Sequence, residues 1–261
     1  MKPNTCIRVL LLSFFACSQT QPAKINFIIN AQKNEGEENP YASISSIPVP
    51  EGFTRIATKN GSFAEWLRRL TLKKNKMVYL YNGLPKKNQT AQFAVVNMSV
   101  GNKDLQQCAD AVMRLRAEYL YSEKRFKEIN FWDNNNTDYT LGTLTDRKHF
   151  DQYLYNVFVK CGTLSLEKQL KPVEDVNKIQ PGDILIQGGS PGHAMIVVDM
   201  AVNPSSDKKI YLLAQSYMPA QDIHIVINPV NKSTNPWYEL NNNTILTPEW
   251  VFQKGHFRTW P

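Results

Sequence analysis

Pro181-Gly182-Asp183-Ile184-Leu185-Ile186-Gln187-Gly188-Gly189-Ser190-Pro191-Gly192-His193-Ala194-Met195-Ile196-Val197-Val198-Asp199 is the stretch from which the rest of the chain is read. It opens on turn chemistry: proline fixes φ, glycine tolerates positive φ, and aspartate accepts a bond from a nearby backbone N–H. Ile184-Leu185-Ile186 is a short apolar run, and residues 187–192 form a second turn cluster. Ala194 to Val198 then reads as a strand buried on both faces. The pattern is strand, tight glycine-rich connection, strand. One titratable imidazole, His193, stands where the second strand leaves the loop.

The chain has 261 residues, 42% of them hydrophobic and 20% charged, which allows a sizeable core and argues against global disorder. Net charge is +7, but the basic residues are scattered apart from Lys73-Lys74-Asn75-Lys76 and Lys86-Lys87. Without a basic helix carrying interleaved aromatics, nucleic acid is not an expected partner. Of the four cysteines, Cys6 and Cys17 fall near the N-terminus and Cys108 and Cys161 in the body. No Cys-x-x-Cys or Cys/His spacing points to a metal, and neither metal nor cofactor is expected.

Lys2 and Arg8 precede an apolar run over residues 9–16, with Cys17 next. The run is too short to span a bilayer, which takes roughly 20 residues, and fits a secretory signal. Ala16-Cys17 resembles the end of a bacterial lipoprotein signal, which makes Cys17 the lipidated residue; a simply cleaved signal and an uncleaved anchor are the alternatives. The expected division is 1–16 signal peptide, 17–46 polar tether and 47–261 a single domain. The expected location is the periplasm or outer membrane, held by the lipid.

Within the domain, Ser62 with Glu65 reads as a capping box before a helix over residues 63–70. Residues 77–81 and 92–100 read as strands. Leu105, Cys108, Ala109, Val112, Leu115 and Tyr119 keep helical spacing, predicting a helix from Asn102 or Asp104 to about Ser122. A second helix is predicted over residues 149–160, ending at Cys161-Gly162. Strands follow at 183–187, 193–199, 210–216 and 223–227, then a loop over 228–243. Thr247-Pro248-Glu249-Trp250 reads as a helix start with proline at its first position. Helices first and an antiparallel sheet after give an α+β fold.

A hairpin between the strands at 193–199 and 210–216, with its loop centred near residues 204–205, brings Gln215 or Ser216 across from His193. One register step exchanges the two, because side chains alternate between faces. Gln215 is favoured, since its amide oxygen accepts from an imidazole N–H and holds one tautomer. Cys108 on a helix, His193 on a strand and a polar residue on the next strand supply what a thiol nucleophile needs: a base, and a group to orient the base. The competing reading makes Cys108 a buried structural thiol on its apolar stripe. Cys161 reads as packing or as a disulfide partner of Cys108. Asp222 and His224 alternate onto one face, either solvated or in contact with substrate. Trp237, in its predicted loop, is a candidate to line a groove.

The order cysteine, Pro-Gly-Asp strand, Gly-His strand, polar residue resembles NlpC-type papain-like cysteine peptidases, which act on bacterial cell-wall peptides. That resemblance assigns the catalytic positions to Cys108, His193 and Gln215. In those enzymes the cysteine opens its helix in an Asp-Cys-Ser-Gly context, whereas here Gln107 precedes and Ala109-Asp110 follow. Over most of the chain, at residues 47–55, 61–70, 104–119, 181–199 and 213–224, the sequence resembles uncharacterised secreted bacterial proteins (domain of unknown function, number 4846). Together these imply a monomeric papain-like domain of the cell envelope. Its implied substrate is a cell-wall peptide or other envelope amide, and its alternative role is a catalytically inactive binding or structural module.

Overall fold

The strand that begins at His193 runs to Val202, and every residue from His193 to Ala201 is buried. The computed structural model describes residues 37–143, 145–240 and 244–261. The signal, Cys17 and most of the expected tether lie outside the described residues. In chain order the elements are β1 (Thr54–Arg55), α1 (Phe63–Arg68), β2 (Gln92–Val95), α2 (Cys108–Ser122), β3 (Asn130–Trp132), β4 (Asp138–Thr140), α3 (Arg147–Lys160), α4 (Thr163–Gln169), β5 (Lys171–Pro172), β6 (Ile184–Gln187), β7 (His193–Val202), β8 (Lys209–Gln215), β9 (His224–Val226), β10 (Tyr238–Glu239), β11 (Thr244–Leu246), β12 (Val251–Gln253) and β13 (Phe257–Thr259). The described residues form one compact unit. Helices and an antiparallel sheet share it, as an α+β reading requires.

The main sheet has the order β2-β9-β8-β7-β6-β13-β5, with β1 added to β7 and β10 to β8. Alternation splits its central strands between two apolar layers. Ile184, Ile186, Ala194, Ile196, Val198, Leu212 and Ala214 face α1, α2 and α3. Leu185, Met195, Val197, Tyr211 and Leu213 face Tyr238, Phe252 and Phe257. Covered on both sides, β7 has nowhere to place a polar side chain without a partner. Asp199, fully buried, accepts from Arg55 Nε and from the Arg68 guanidinium at 2.7 Å each, and from the Met200 N–H at 2.9 Å. Arg55 donates further to the carbonyls of Ile44 and Ile47. One carboxylate thus fastens β1, α1 and the segment before β1 to the central strand.

Several sequence expectations shift. The expected tether extends too far, because Ile44 lies in the core and Ser43 bridges to Thr71. Helix α2 starts at Cys108, since Asp104 is drawn into tertiary contacts and accepts from the Ala220 N–H at 2.6 Å. Residues 247–250 make the turn between β11 and β12, closed by Thr247 N–H to the Trp250 carbonyl, and no helix starts there. Residues 77–81 pair only through isolated bridges at Tyr79 and Leu80. Part of the expected loop over 228–243 is strand β10.

Replacing Asp199 by Asn should leave two guanidinium groups facing an uncharged amide in the interior. The expected loss is about 3–5 kcal/mol of unfolding free energy, read by urea denaturation; a loss below about 1 kcal/mol would contradict the anchoring role.

Candidate active site

The β7–β8 register decides which polar side chain meets His193. Val202 faces Lys209 and Met200 faces Tyr211, then an irregularity at Val198 shifts the pairing so that Ile196 faces Ala214. Gln215 therefore sits diagonally across from His193 and on the same face of the sheet. Its Oε1 lies 2.7 Å from His193 Nε2. Ser216 points the other way, its hydroxyl within reach of the Gln106 carbonyl at 3.0 Å and the Gln221 carbonyl at 2.8 Å. That places Ser216 under the approach to α2 and leaves Gln215 as the partner of the imidazole.

Cys108 is the first residue of α2, where backbone N–H groups have no intrahelical acceptors and the helix dipole favours negative charge. Gln107 is extended, its N–H donates to Asp110 Oδ2 at 3.0 Å, and its carbonyl accepts from the Ala111 N–H. Cys108 is 6% exposed. It lines a cleft of about 330 Å³ together with Asn134, Thr163, Leu164, Gly192 and Met218. Leu164 and Met218 are exposed apolar residues on its rim. Burial pushes the thiol up to about 11, partly offset by hydrogen bonding from the backbone of Ala194, Ala109 and Cys108 itself. Cys161 shares the cleft, and both thiols are free.

His193 is 1% exposed and caged by the rings of Tyr217, Trp250 and Phe252, at centroid distances of 4.8, 5.3 and 5.8 Å. Burial lowers its pKa to about 4, with Gln215 opposing and the Lys86 charge adding to the fall. Among the described residues the Cys108 sulfur makes no hydrogen bond to this ring. Ala194, next in the chain to His193, reaches the sulfur through its backbone, and Tyr217 packs on the imidazole. Gly192 has no room for a side chain. A Cβ there would lie 2.4 Å from Thr163 Oγ1 and 2.6 Å from the Gly189 carbonyl, so the loop into β7 can close against α4 only with glycine.

Asp222, His224 and Trp237 do not reach a surface where a substrate could meet them. Asp222 is 1% exposed, bound to Lys73 Nζ at 2.8 Å and to the Tyr79 N–H at 3.0 Å. His224 is fully buried, with Nδ1 2.9 Å from the Asp222 carbonyl. Trp237 is 1% exposed and donates from Nε1 to the Pro48 carbonyl. Segment 71–81 runs alongside, with Lys73 and Tyr79 binding Asp222 and Leu80 bridging to Gln221. The sequence reading also missed Glu249 and Lys86. Glu249 Oε2 accepts from Gln215 Nε2 at 2.9 Å and from Lys86 Nζ at 2.7 Å. Glu249 lies in the turn mistaken for a helix start, and Lys86 looked like any surface lysine. No group of three His, Cys, Asp or Glu side chains among the described residues is placed to hold a metal ion. Nor is any helix among them long and apolar enough to cross a membrane.

These features define an α+β domain in which a helix-opening thiol lines a cleft and a buried imidazole, next in the chain to Gly192 of that cleft, is held by an amide. The chain belongs to the family described as a domain of unknown function (4846), whose pattern matches residues 44–141 and 132–259. No curated protein and no solved structure matches it.

His193, lowered to about 4, and His224, lowered to about 3, are held neutral by burial against an ordinary 6.5. The unfolded chain takes up these protons first, so their contribution to stability is complete above about pH 6.5. It is lost as pH falls toward 4, by about 1.4 kcal/mol per pH unit for each histidine. Thermal unfolding at pH 7 and pH 4.5 should show a smaller drop in His224→Gln than in the wild type; equal drops would contradict this origin.

Proposed function

We propose that this protein is a papain-like cysteine hydrolase of the cell envelope, an amidase or peptidase that cuts a cell-wall peptide or a related amide. A lipid on Cys17 would hold it at the membrane, in the periplasm or on the outer membrane. The observation that carries the reading is the set Cys108, His193 and Gln215: a thiol opening a helix in a cleft, and, next in the chain to Gly192 of that cleft, a buried imidazole whose Nε2 is held by an amide.

With Nε2–H donating to Gln215 Oε1, His193 Nδ1 keeps its lone pair for Cys108. Burial favours the neutral thiol and neutral imidazole at rest, so the proton moves as attack begins. Nδ1 takes the proton from Sγ, and sulfur adds to the amide carbonyl. The oxyanion is met by N–H groups at the start of α2. Nδ1 then hands the proton to the leaving amine, the C–N bond breaks, and a thioester remains. Water, deprotonated by Nδ1, attacks the thioester; the carboxylic acid leaves and sulfur regains its proton. Leu164 and Met218 on the rim suit an apolar side chain beside the scissile bond.

A second reading, a binding module for envelope peptides without chemistry, draws on one observation: burial holds the thiol protonated and nearly sealed. Alkylation by iodoacetamide at neutral pH separates the two. The hydrolase reading expects Cys108 to be modified ahead of Cys161, and His193→Ala to slow that modification about a hundredfold or more, the low end of what a positioned base contributes (about 10²–10⁴). Equal rates in the two proteins, or no cleavage of muropeptides by the wild type, would leave the binding module standing.

A further inference from the structure

We propose that Glu249, paired with Lys86, and His224 act together as a clamp that fixes which way the Gln215 amide faces and, through it, which nitrogen of His193 carries the hydrogen. These are positioning residues. The proposal rests on the hydrolase reading for its importance, but its physical content is a tautomer that exists whether or not the thiol is catalytic.

A glutamine amide has two ends of nearly equal size, and reversing it would turn Gln215 from an acceptor into a donor toward His193. What forbids the reversal lies on the far side of the amide. Glu249 Oε2 stands 2.9 Å from Gln215 Nε2, and a carboxylate only accepts. Lys86 Nζ, 2.7 Å from the same oxygen and 7% exposed, supplies its countercharge. Asn88 Nδ2 holds the other oxygen at 3.3 Å. The second restraint is His224. Its Nδ1 faces the Asp222 carbonyl at 2.9 Å, which can only accept, so Nδ1 carries the hydrogen and Nε2 a lone pair. That lone pair is 3.2 Å from Gln215 Nε2. Both amide hydrogens of Gln215 are therefore taken, one by each partner.

A reversed amide would set its oxygen against a carboxylate and against a ring lone pair, with no hydrogen on either line. Gln215 and His193 are each 1% exposed and His224 is fully buried, so water is not at hand to repair the mismatch. The amide oxygen must face His193, Nε2 must carry the hydrogen, and Nδ1 is left as the base. The rings around His193, Tyr217, Trp250 and Phe252, present their faces and edges and do not oppose this choice. The His224 and Asp222 positions that alternation marks as a surface pair thus serve the site from behind.

The test is ¹⁵N NMR of imidazole-labelled full-length protein, with the His193 signals identified by their loss in His193→Gln. In the wild type His193 should be wholly in the Nε2–H form; an Nδ1–H ring would overturn the proposal outright. The exchange Lys86→Glu with Glu249→Lys keeps the ion pair but puts a donor-only ammonium against Gln215. Charge-assisted bonding to it should outweigh the His224 restraint, reverse the amide and move the His193 hydrogen to Nδ1. Iodoacetamide modification of Cys108 should then slow at least tenfold. Glu249→Gln retains an oxygen for Gln215 and should leave the tautomer unchanged. If the exchanged protein does not fold, Lys86→Met, Glu249→Leu and His224→Leu together remove both restraints without stranding an ammonium, and an Nδ1–H population absent from the wild type should appear. A single Nε2–H tautomer in a folded exchange or apolar variant would overturn the clamp. An inverted tautomer with unchanged Cys108 reactivity would uphold the clamp and remove the hydrolase reading.

Discussion

Strand β7 is buried along both faces, and this constraint organises the molecule. A strand so placed has no water to offer its polar side chains, so each must find a partner within the protein. At the C-terminal end of its buried stretch Asp199 draws in Arg55 and Arg68, and with them β1, α1 and the segment around Ile44. At the N-terminal end His193 draws in Gln215, and Gln215 draws in Glu249, Lys86 and His224. The first cluster is an anchor made of full charges. The second holds a neutral, buried imidazole, with its charges kept two hydrogen bonds back.

That separation gives the site its character. A carboxylate in direct contact with His193 would favour the imidazolium. Here Gln215 stands between, so the ring is oriented without being charged, and burial holds it neutral down to about pH 4. Cys108 is likewise held as a thiol by burial, although it stands at a helix start with backbone N–H groups beside it. Burial thus favours the uncharged form of both groups. In the cleft wall, two residues separate α4 from the end of α3, and the loop at 189–192 closes against Thr163 because Gly192 leaves it room.

The helix start illustrates what propensity alone misjudges. Asp104 has the side chain of an N-cap and sits before a helical stripe, yet it caps nothing in α2, because the Ala220 N–H claims it across the fold. Asp110 takes over at the third helical position, and the helix opens four residues later, at Cys108. The same effect hides Glu249, whose Thr-Pro-Glu-Trp context carries a helix-start pattern but lies in a hairpin turn.

The sequence by itself determined the strand after His193, its double-sided burial, the hairpin with residues 210–216 and the α+β order, because these follow from local periodicity and turn chemistry. It also singled out Cys108, His193 and Gln215 by residue type and chain order. Only the tertiary structure decided that Gln215 and not Ser216 meets the imidazole, since one irregularity at Val198 sets the register. Only it decided that Cys108 opens its helix, that Asp222, His224 and Trp237 are sealed from solvent, and that Lys86 and Glu249 stand behind the amide. Each of these depends on which distant segment covers or claims a side chain. Hydrogen-bond partners more than a hundred residues apart leave no periodic trace in the chain.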